Sequence, residues 1–544
     1  MIFMKKILGI VMLCAAAASA AAMPARREGV VRTGSDGTEK TVYLHGDAFY
    51  HYLTDEAGNW LDEETLLPLS AEARAIRQER GEARMAARRR VQQAQMETGT
   101  SRLLAPRGVV ILVSYADVEF SSTNADMTEW AMGENYTYNG ATGSIHQYFY
   151  DQSWGQYDMQ IDVVGPVTVS KNASYYGQNV TDYWGNSGDA HADELVVEAC
   201  RLADAQGVDF SKYDSNNDGK VDWVVILYAG KGEADGGAAS TIWPHQYDLS
   251  YTYMDIMLDG KTIDHYCCLN EIEGRTGARC GIGTFCHEFS HVMGLPDFYA
   301  TDEATHKTLG SWDIMDYGPY NNNGNTPPNY SAYERWFMGW MTPTLVTQAA
   351  SMSLPLLHES KEAVVITQNN KEISNILAPV PSQFYLIENR AKSGWDTYLP
   401  GEGMIVTKIS WDKDKWQGNT VNNTASSMGI DLIEADGKTP SYSRYAKNGY
   451  SGKATDAFPA GADEFSTTFT IGSGYNIRTM TPHKITNISL QNGVITFDVD
   501  GGEKQGIENL SPALPSREGV KILRDGKLYI MYKGTMYNVQ GKRI

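Results

Sequence analysis

Apolar and polar positions follow two different patterns along the chain, and the first runs from about residue 105 to 345. Val109–Val113 is an unbroken apolar run, which predicts a buried strand, and Met159–Val164 predicts another. Apolar residues at helical spacing predict helices over 143–155 and 188–205. Alternating strands and helices are typical of a twisted sheet covered by helices. This region is therefore predicted to be an α/β (α+β) domain.

The second pattern begins after about Pro343, where short apolar strands are separated by turns. It predicts an all-β, sandwich-like domain over 346–502. Support of the preceding domain and binding of a substrate or a cell surface both remain open as its role. The predicted strands are 363–368, 384–389, 403–409, 467–471 and 494–499.

The end of the chain has a composition of its own. Residues 503–516, rich in Gly, Pro and Ser, are predicted to be a linker, and 517–544 carry a small repeated β pattern. This tail is either a last hairpin of the preceding domain or a secretion signal. In the second case it resembles the C-terminal sorting tails of proteins that leave some Gram-negative bacteria by the type IX route.

The first residues have the features of a signal peptide. Lys5 and Lys6 precede an apolar stretch over 7–18, and small residues follow, with Ala20 or Ala22 as the expected last residue. The apolar stretch is too short to span a bilayer, which needs about 20 residues. We therefore predict a signal peptide over 1–22 and export of the protein.

Residues 23–104 differ from the rest because they combine a short β pattern with a very polar helical stretch. The helical stretch covers 70–95 and includes the basic triplet Arg88–Arg90. It fits either a solvated helix and linker or a propeptide with a cleavable end, and we assign 23–104 as a propeptide. An acidic residue in this segment, such as Asp47, is a candidate for blocking a metal centre, or is simply a turn residue.

Overall composition restricts the partners. The 544 residues carry a net charge of -20, which argues against nucleic acid because phosphate binding requires a basic surface. This acidic net charge fits a soluble secreted protein. After removal of Cys14, five cysteines remain between positions 200 and 286, so a disulfide there is plausible in an oxidising compartment and at least one thiol stays unpaired within the chain.

The strongest chemical signal is His287-Glu288-x-x-His291. Positions i and i+4 share one face of a helix, so the two imidazoles can bind one metal ion, and Glu288 lies beside them as a general base. Gly294 can end the helix in a left-handed turn and allow Asp297 to supply a third ligand. Two histidines and a carboxylate match a catalytic zinc site. Taken alone, the motif also fits a helix with one buried and one exposed histidine.

A second candidate metal site precedes the strand Val224–Leu227. Oxygen-bearing side chains occur at the spacing of a Ca²⁺ loop, but Val225 stands where such loops usually have a bidentate Glu. The segment is either a Ca²⁺ site or an Asp- and Asn-rich turn. Its candidate ligands are Asp214, Asn216, Asp218, Lys220 and Asp222. Weaker cation candidates are Glu233, Asp235, Asp396, Asp431 and Glu434, and His245 is expected to be structural or to line the cleft.

The zinc motif is followed by Met315 and Tyr317 in Ser311–Gly318. A methionine turn after such a motif resembles the metzincin superfamily. Asp297 as third ligand, flanked by Leu-Pro and Phe-Tyr, resembles the immune-inhibitor-A-like secreted zinc metallopeptidases. The similarity also includes Gln152–Gly155, Ser331–Arg335, Phe384–Arg390 and Asp456–Pro459.

This resemblance implies a multidomain protein with an N-terminal propeptide, a metzincin-like catalytic domain over 105–345 and a C-terminal all-β domain. It implies a secreted bacterial zinc endopeptidase, in which Glu288 activates water and Tyr317 hydrogen-bonds the oxyanion. The expected partners are protein or peptide substrates, with a monomer as the expected state. Two alternatives stay open: a zinc hydrolase acting on a non-peptide substrate, and an inactive binding protein on the same scaffold.

Overall fold

The computed structural model describes most of the chain. The described residues are 21–26, 28–48, 50–75, 106–181, 187–252, 254, 256–301, 306–437, 452–471, 478–480, 482–502, 520–524, 527–532 and 535–538. The first twenty residues of the expected signal peptide, the basic triplet Arg88–Arg90 and the expected linker lie outside them.

The N-terminal region forms one edge strand and a small antiparallel sheet. The strands are β1 (Ala21–Ala22), β2 (Val30–Thr33), β3 (Glu39–Asp47), β4 (Tyr50–Thr54) and β5 (Trp60–Leu61). Strands β2 to β5 pair in sequence order, while β1 joins a different sheet. Val42, Leu44 and Leu53 are buried against Trp243, so this small sheet packs on the domain that follows.

The next region alternates strands and helices, as the apolar pattern predicts. Its strands are β6 (Arg107–Ser114), β7 (Gln160–Thr168), β8 (Asn179–Thr181), β9 (Ser187–Asp189), β10 (Val224–Lys231), β11 (His245–Asp248), β12 (Ile256–Leu258), β13 (Lys261–Ile263) and β14 (His265–Ile272). Its helices are α1 (Asn124–Met132), α2 (Ile145–Gln152), α3 (Ala173–Gly177), α4 (Ala192–Ala205), α5 (Gly283–Val292) and α6 (Ala332–Phe337).

A six-stranded sheet organises this region, in the order β1-β11-β14-β10-β6-β7. Strands β14, β10, β6 and β7 are parallel, whereas β11 runs antiparallel to β14 and lies between β14 and the edge strand β1. Val109–Val113 is fully buried in β6, which confirms the buried strand expected there. Parallel strands buried on both faces are characteristic of α/β layers, so the mixed α/β prediction is confirmed.

Local signals set the helix ends. Ser144 caps α2 by accepting a hydrogen bond from the Gln147 backbone N–H. Ser331 and Glu334 form a reciprocal capping box at α6. The prediction of a helix from 188 was wrong at its start, because 187–189 pair as β9 with β8 and the helix begins at Ala192.

The following region consists mainly of strands. They are β15 (Thr344–Leu345), β16 (Ala350–Leu354), β17 (Val364–Thr367), β18 (Gln383–Arg390), β19 (Gly403–Ser410), β20 (Ile430–Leu432), β21 (Phe465–Ser466), β22 (Phe469–Ile471), β23 (Arg478–Met480), β24 (Lys484–Gln491) and β25 (Val494–Val499). Two short helices interrupt them, α7 (Leu357–Ser360) and α8 (Lys413–Gln417).

Two sheets of this region share one core. A five-stranded sheet has the order β15-β17-β18-β19-β20, and a four-stranded sheet has the order β16-β25-β24-β21. Ile366 and Ile387 from the first sheet meet Ile485 and Phe497 from the second. The division of the chain into domains stays a prediction.

The tail forms a three-stranded antiparallel sheet of β26 (Val520–Arg524), β27 (Lys527–Tyr532) and β28 (Thr535–Asn538). This agrees with the small β pattern of its sequence. Within the described parts of the chain, no helix combines the length and apolar character that crossing a membrane requires.

Candidate metal centre

Helix α5 positions the two motif histidines on one buried face. Its own Phe285 and Phe289 pack edge-on against Trp223, which fixes the rotation of the helix. The helix ends where Gly294 adopts φ +98°, a left-handed conformation that suits glycine. The chain then reverses, as predicted, and brings Asp297 back toward the histidines.

His287, His291 and Asp297 converge within hydrogen-bond distance of one another. The two Nε2 atoms are 3.1 Å apart, and each is 3.2 Å from Oδ1 of Asp297. All three side chains are buried. Among the described residues they form a compact group of potential metal-ligating atoms.

The hydrogen bonds of the rings direct one nitrogen of each histidine to this group. Nδ1 of His287 donates to the carbonyl of Ile314, and Nδ1 of His291 donates to the carbonyl of Leu295, both over 2.8 Å. Because a carbonyl only accepts, each proton resides on Nδ1 and each Nε2 presents a lone pair. This is the tautomer that metal binding requires.

The dimensions fit zinc. Bonds of 2.0–2.1 Å to four tetrahedral ligands place the ligand atoms about 3.3 Å apart. The edges of 3.1–3.2 Å between the three atoms match this spacing. Two imidazoles and one carboxylate leave a fourth position for water or substrate, as in catalytic zinc sites.

Electrostatics keep Asp297 charged in this buried place. Burial opposes the charged form, but the imidazoles of His291 and His287 outweigh it and lower the pKa of Asp297. Burial lowers the pKa of His291, against the opposing effect of the neighbouring Asp297 carboxylate. The charged carboxylate is the form of Asp297 that binds a divalent cation.

The N-terminal segment contacts the general-base candidate. The backbone N–H of Met23 donates to Oε1 of Glu288 over 2.7 Å, and the carbonyl of Met23 accepts from the indole N–H of Trp243 over 3.0 Å. Glu288 and Met23 are both buried. The chain immediately after the expected signal peptide therefore lies directly at the metal centre. The sequence contained no signal for this contact.

The methionine turn is hydrogen-bonded to the segments that carry the candidate metal ligands. The carbonyl of the buried Met315 accepts from the backbone N–H of Phe298 over 2.8 Å, which fastens the turn to the Asp297 loop. The hydroxyl of Tyr317 donates to the carbonyl of Ala25 over 2.7 Å, and the hydroxyl of Tyr320 donates to the carbonyl of Pro24. Both phenols thus bind the segment that lies on Glu288.

A loop of the β region holds the third ligand. The side-chain carbonyl of Asn419 accepts from the Asp297 N–H over 2.7 Å, and its amide donates to Oδ2 of Asp297. Asn422 and Asn423 bond the backbone at Phe298 and Thr301. Sequence reasoning missed these residues, because an Asn-rich stretch far along the chain carries no metal-ligand spacing.

The candidate zymogen residue Asp47 lies in β3, and its carbonyl accepts from Nδ1 of His51 over 3.2 Å. Among the described residues, the group around His287 does not include it. His51 instead approaches Glu233, with 3.6 Å between Nε2 and Oε2, and Glu63 completes this second group. The N-terminal sheet therefore meets the catalytic region through Glu233.

The candidate Ca²⁺ loop is closed by its own hydrogen bonds. Asp214 accepts from the Gly219 N–H over 3.0 Å and pairs with the Lys261 ammonium over 2.6 Å. Asn216 donates to Asp218, and Asp222 accepts from the backbone of Ser215. Lys220 instead extends its ammonium to Asp264, over 3.1 Å. Binding of Ca²⁺ by this loop stays a prediction.

The weaker cation candidates have basic partners. Asp396 binds Arg390 over 2.6 Å, and Glu434 lies 3.5 Å from Lys307. Burial raises the pKa of Asp431 to about 7, with Glu434 adding to the effect. His245 lies on β11 opposite Ala22, and its Nδ1 donates to the carbonyl of Trp243 over 2.7 Å.

The plausible disulfide is not formed. The described cysteines are free and buried, at positions 200, 267, 268, 280 and 286. Cys267 and Cys268 are successive residues of β14, and burial raises the pKa of both thiols. These thiols are packed as small apolar groups, which is the usual state of buried cysteine.

Comparison with known proteins now identifies the region. Residues 125–341 match the family model of the catalytic domain of the immune inhibitor A peptidases, family M6. The chain carries an immune inhibitor A-like metallopeptidase domain. The metal centre at His287 and His291 lies inside the matched residues, and the family resemblance expected from the motifs is confirmed.

Individual relatives agree with this assignment. Immune inhibitor A of Bacillus thuringiensis subsp. alesti is 28% identical over 218 residues, which cover 36% of this chain and 31% of the relative. The pre-pro-metalloprotease PrtV of Vibrio cholerae serotype O1 is 29% identical over 230 residues, which cover 38% of this chain and 24% of the relative. The matched region thus spans less than a third of the length of these relatives.

Proposed function

We propose that the protein is a secreted zinc-dependent endopeptidase that hydrolyses peptide bonds of extracellular proteins. The observation that carries this proposal is the triangle of His287, His291 and Asp297, with Glu288 on the same helix turn. Membership of the domain in a metallopeptidase family supports it. Zinc is the metal that these ligand types and this spacing favour.

Each residue of the centre has a role in the proposed reaction. Zinc, when bound, supplies Lewis acidity to the scissile carbonyl and to the attacking water. Glu288 takes a proton from that water and passes it to the leaving amine. Tyr317 donates its hydroxyl proton in a hydrogen bond to the oxyanion. Asp297 and the two histidines hold the metal through Oδ1 and the two Nε2 atoms.

The chain is made as a latent precursor, with 23–104 as the propeptide. Met23 engages Glu288, and Ala25 engages Tyr317, so both proposed catalytic groups are bonded to the N-terminal segment. A substrate needs the same two groups. Release of this segment is therefore the activating event, and the segment around Met23 takes over the blocking role considered for Asp47.

The remaining parts of the proposal concern export and stability. The signal peptide directs export from a bacterial cell, to the medium or the cell surface. The tail is a sorting signal for the type IX route, and the sandwich-like region supports the catalytic region through the Asn419 loop. Ca²⁺ at the Asp214 loop is a structural ion that displaces Lys261, and the protein acts as a monomer.

Hydrolysis of casein or gelatin by the purified secreted protein tests the proposal. The expected result is cleavage that a zinc chelator abolishes and zinc restores. N-terminal sequencing and mass analysis, with activity measured before and after processing, test the signal peptide, the propeptide and the tail together. Cleavage of an ester or glycan in place of proteins indicates a different hydrolase, and zinc binding without any hydrolysis indicates a binding protein.

A further inference from the structure

In the chain that still carries the expected signal peptide, residues 21–26 run past the candidate metal centre, and Ala21–Ala22 add a strand to the six-stranded sheet. In β1, Ala21 lies opposite Gln246 and Ala22 opposite His245, so β1 covers the outer side of β11 in antiparallel direction. Because the Met23 N–H binds Glu288, the peptide bond between Ala22 and Met23 lies at the metal centre. Addition of an extended peptide to a sheet edge is a common way of binding peptides. The segment therefore has the position of a substrate.

Arg26, three residues beyond Met23, ends in a closed acidic pocket. Its Nε lies 2.5 Å from Oδ1 of Asp235, and its Nη2 lies 2.8 Å from Oε1 of Glu273. The guanidinium carbon lies 4.8 Å from the ring centre of Tyr320. The Arg26 N–H also donates to the carbonyl of Ala234 over 3.0 Å, in the short helix Glu233–Asp235 that carries one of the two carboxylates. Arg26 is only 3% exposed.

The pocket is organised by the catalytic region itself. The backbone N–H of Gly274 holds Oδ2 of Asp235 over 2.6 Å, and Thr276 holds Oε2 of Glu273 through its backbone and its hydroxyl. One oxygen of each carboxylate is thereby fixed, and the other oxygen contacts Arg26. The anchoring contacts do not involve the N-terminal segment.

Removal of the N-terminal segment leaves a pocket that contains two carboxylates and no cation. Asp235 is 7% exposed and Glu273 is 4% exposed, and the oxygens that face Arg26 have no other hydrogen-bond partner among the described residues. These exposures apply with Arg26 in place. Once the segment leaves, the two carboxylates lie side by side without a cation, and each disfavours the charge of the other. The vacated pocket therefore favours a ligand with a positive charge.

We propose that Asp235, Glu273 and Tyr320 form a substrate subsite for a basic side chain, with arginine preferred, at the fourth residue after the cleaved bond. Met23 corresponds to the first residue after that bond and Arg26 to the fourth. Arginine is favoured over lysine because its planar fork contacts two carboxylates and stacks on a ring at once. This inference rests on the proposed peptide hydrolysis and specifies its substrate class.

Quenched fluorescent peptides containing Ala-Ala-Met-Pro-Ala-X test the subsite, with X as Arg, Lys, Ala or Glu. The enzyme is the zinc-loaded secreted protein, shown by N-terminal sequencing to have lost residues 21–26. The expected kcat/KM is about tenfold or more higher for Arg than for Ala, and lowest for Glu. Equal rates for the Arg and Ala peptides overturn the subsite. Failure to cleave any peptide or protein overturns the proposed function itself.

A double variant, Asp235→Asn with Glu273→Gln, is expected to remove the preference for Arg and to keep hydrolysis of the Ala peptide. Glu233→Gln is the matched control, because Glu233 lies in the same short helix but pairs with Arg32. The Glu233→Gln variant should retain the preference for Arg over Ala. Retained preference in the double variant contradicts the proposal.

The unprocessed chain gives a second measurement that does not depend on folding of the double variant. Arg26→Ala removes the cation from the pocket and weakens docking of the segment, so basal hydrolysis should rise about tenfold. Arg26→Lys should have a smaller effect. If the Arg26→Ala precursor hydrolysed substrate no faster than the parent precursor, this would contradict a binding role for the pocket.

Discussion

Asn419 and Asp297 are joined by two hydrogen bonds although they lie 122 positions apart in the chain. One bond fixes the backbone of the metal-ligand loop, and the other fixes the Asp297 carboxylate. Oδ1 of Asp297 is left facing the histidines. The β region thereby contributes directly to the geometry of the metal centre.

Asn419→Ala should lower zinc affinity about tenfold to a hundredfold, as is usual for loss of a residue that orients a ligand. Competition with a chromophoric zinc chelator measures the effect without using activity. Asn423→Ala is the matched control, since Asn423 bonds Thr301 in the same loop. Equal losses in the two variants would show that loop packing, rather than Asn419 itself, supports the metal.

Asp297→Ala should abolish stoichiometric zinc binding, because two imidazoles alone make an incomplete site. Metal content of the dialysed protein, measured by atomic absorption, checks this. If the zinc content stayed at that of the parent, the histidines would still be ligands but Asp297 would not be the third.

Glu288→Ala should retain zinc and lose turnover by a factor of about 10²–10⁴, the range that a general acid–base group contributes. Casein hydrolysis and zinc content are measured on the same preparation. Retained proteolysis in this variant would refute Glu288 as the general base.

Tyr317→Phe should lower kcat about a hundredfold and leave KM almost unchanged, because the lost hydrogen bond forms only in the transition state. Steady-state kinetics on the processed enzyme separate the two constants. Tyr398→Phe is the control, because the side chain of Tyr398 is exposed to solvent. An equal loss of kcat in the control would remove the special role of Tyr317.

Ca²⁺ added to the chelated, zinc-loaded protein should raise Tm if the Asp214 loop binds it. An ion at a hundred times its Kd stabilises the native state by about 2.7 kcal/mol. Asp218→Ala should lose the shift. The absence of any shift in the parent would indicate that the pairing of Asp214 with Lys261 is the final state of the loop.

Much of the catalytic helix was predictable from local sequence. The i, i+4 spacing of His287 and His291 and the glycine at 294 set a face and a turn, and both depend only on nearby residues. The burial of Val109–Val113 was also predictable, because an unbroken apolar run is buried whichever strands lie beside it. The predicted start of α4 was wrong, because residues 187–189 pair with β8 as strand β9. This pairing depends on tertiary structure, and it leaves the helix to begin at Ala192.

The sequence by itself determined the candidate metal-binding residue types, their helical spacing and the mixture of strands and helices, because these follow from the backbone geometry of short segments. Only the tertiary structure decided what surrounds them. Met23 meets Glu288 across 265 positions, and Arg26 meets Asp235 and Glu273. Such contacts depend on which distant segments fold side by side, and no local pattern of residues encodes that choice.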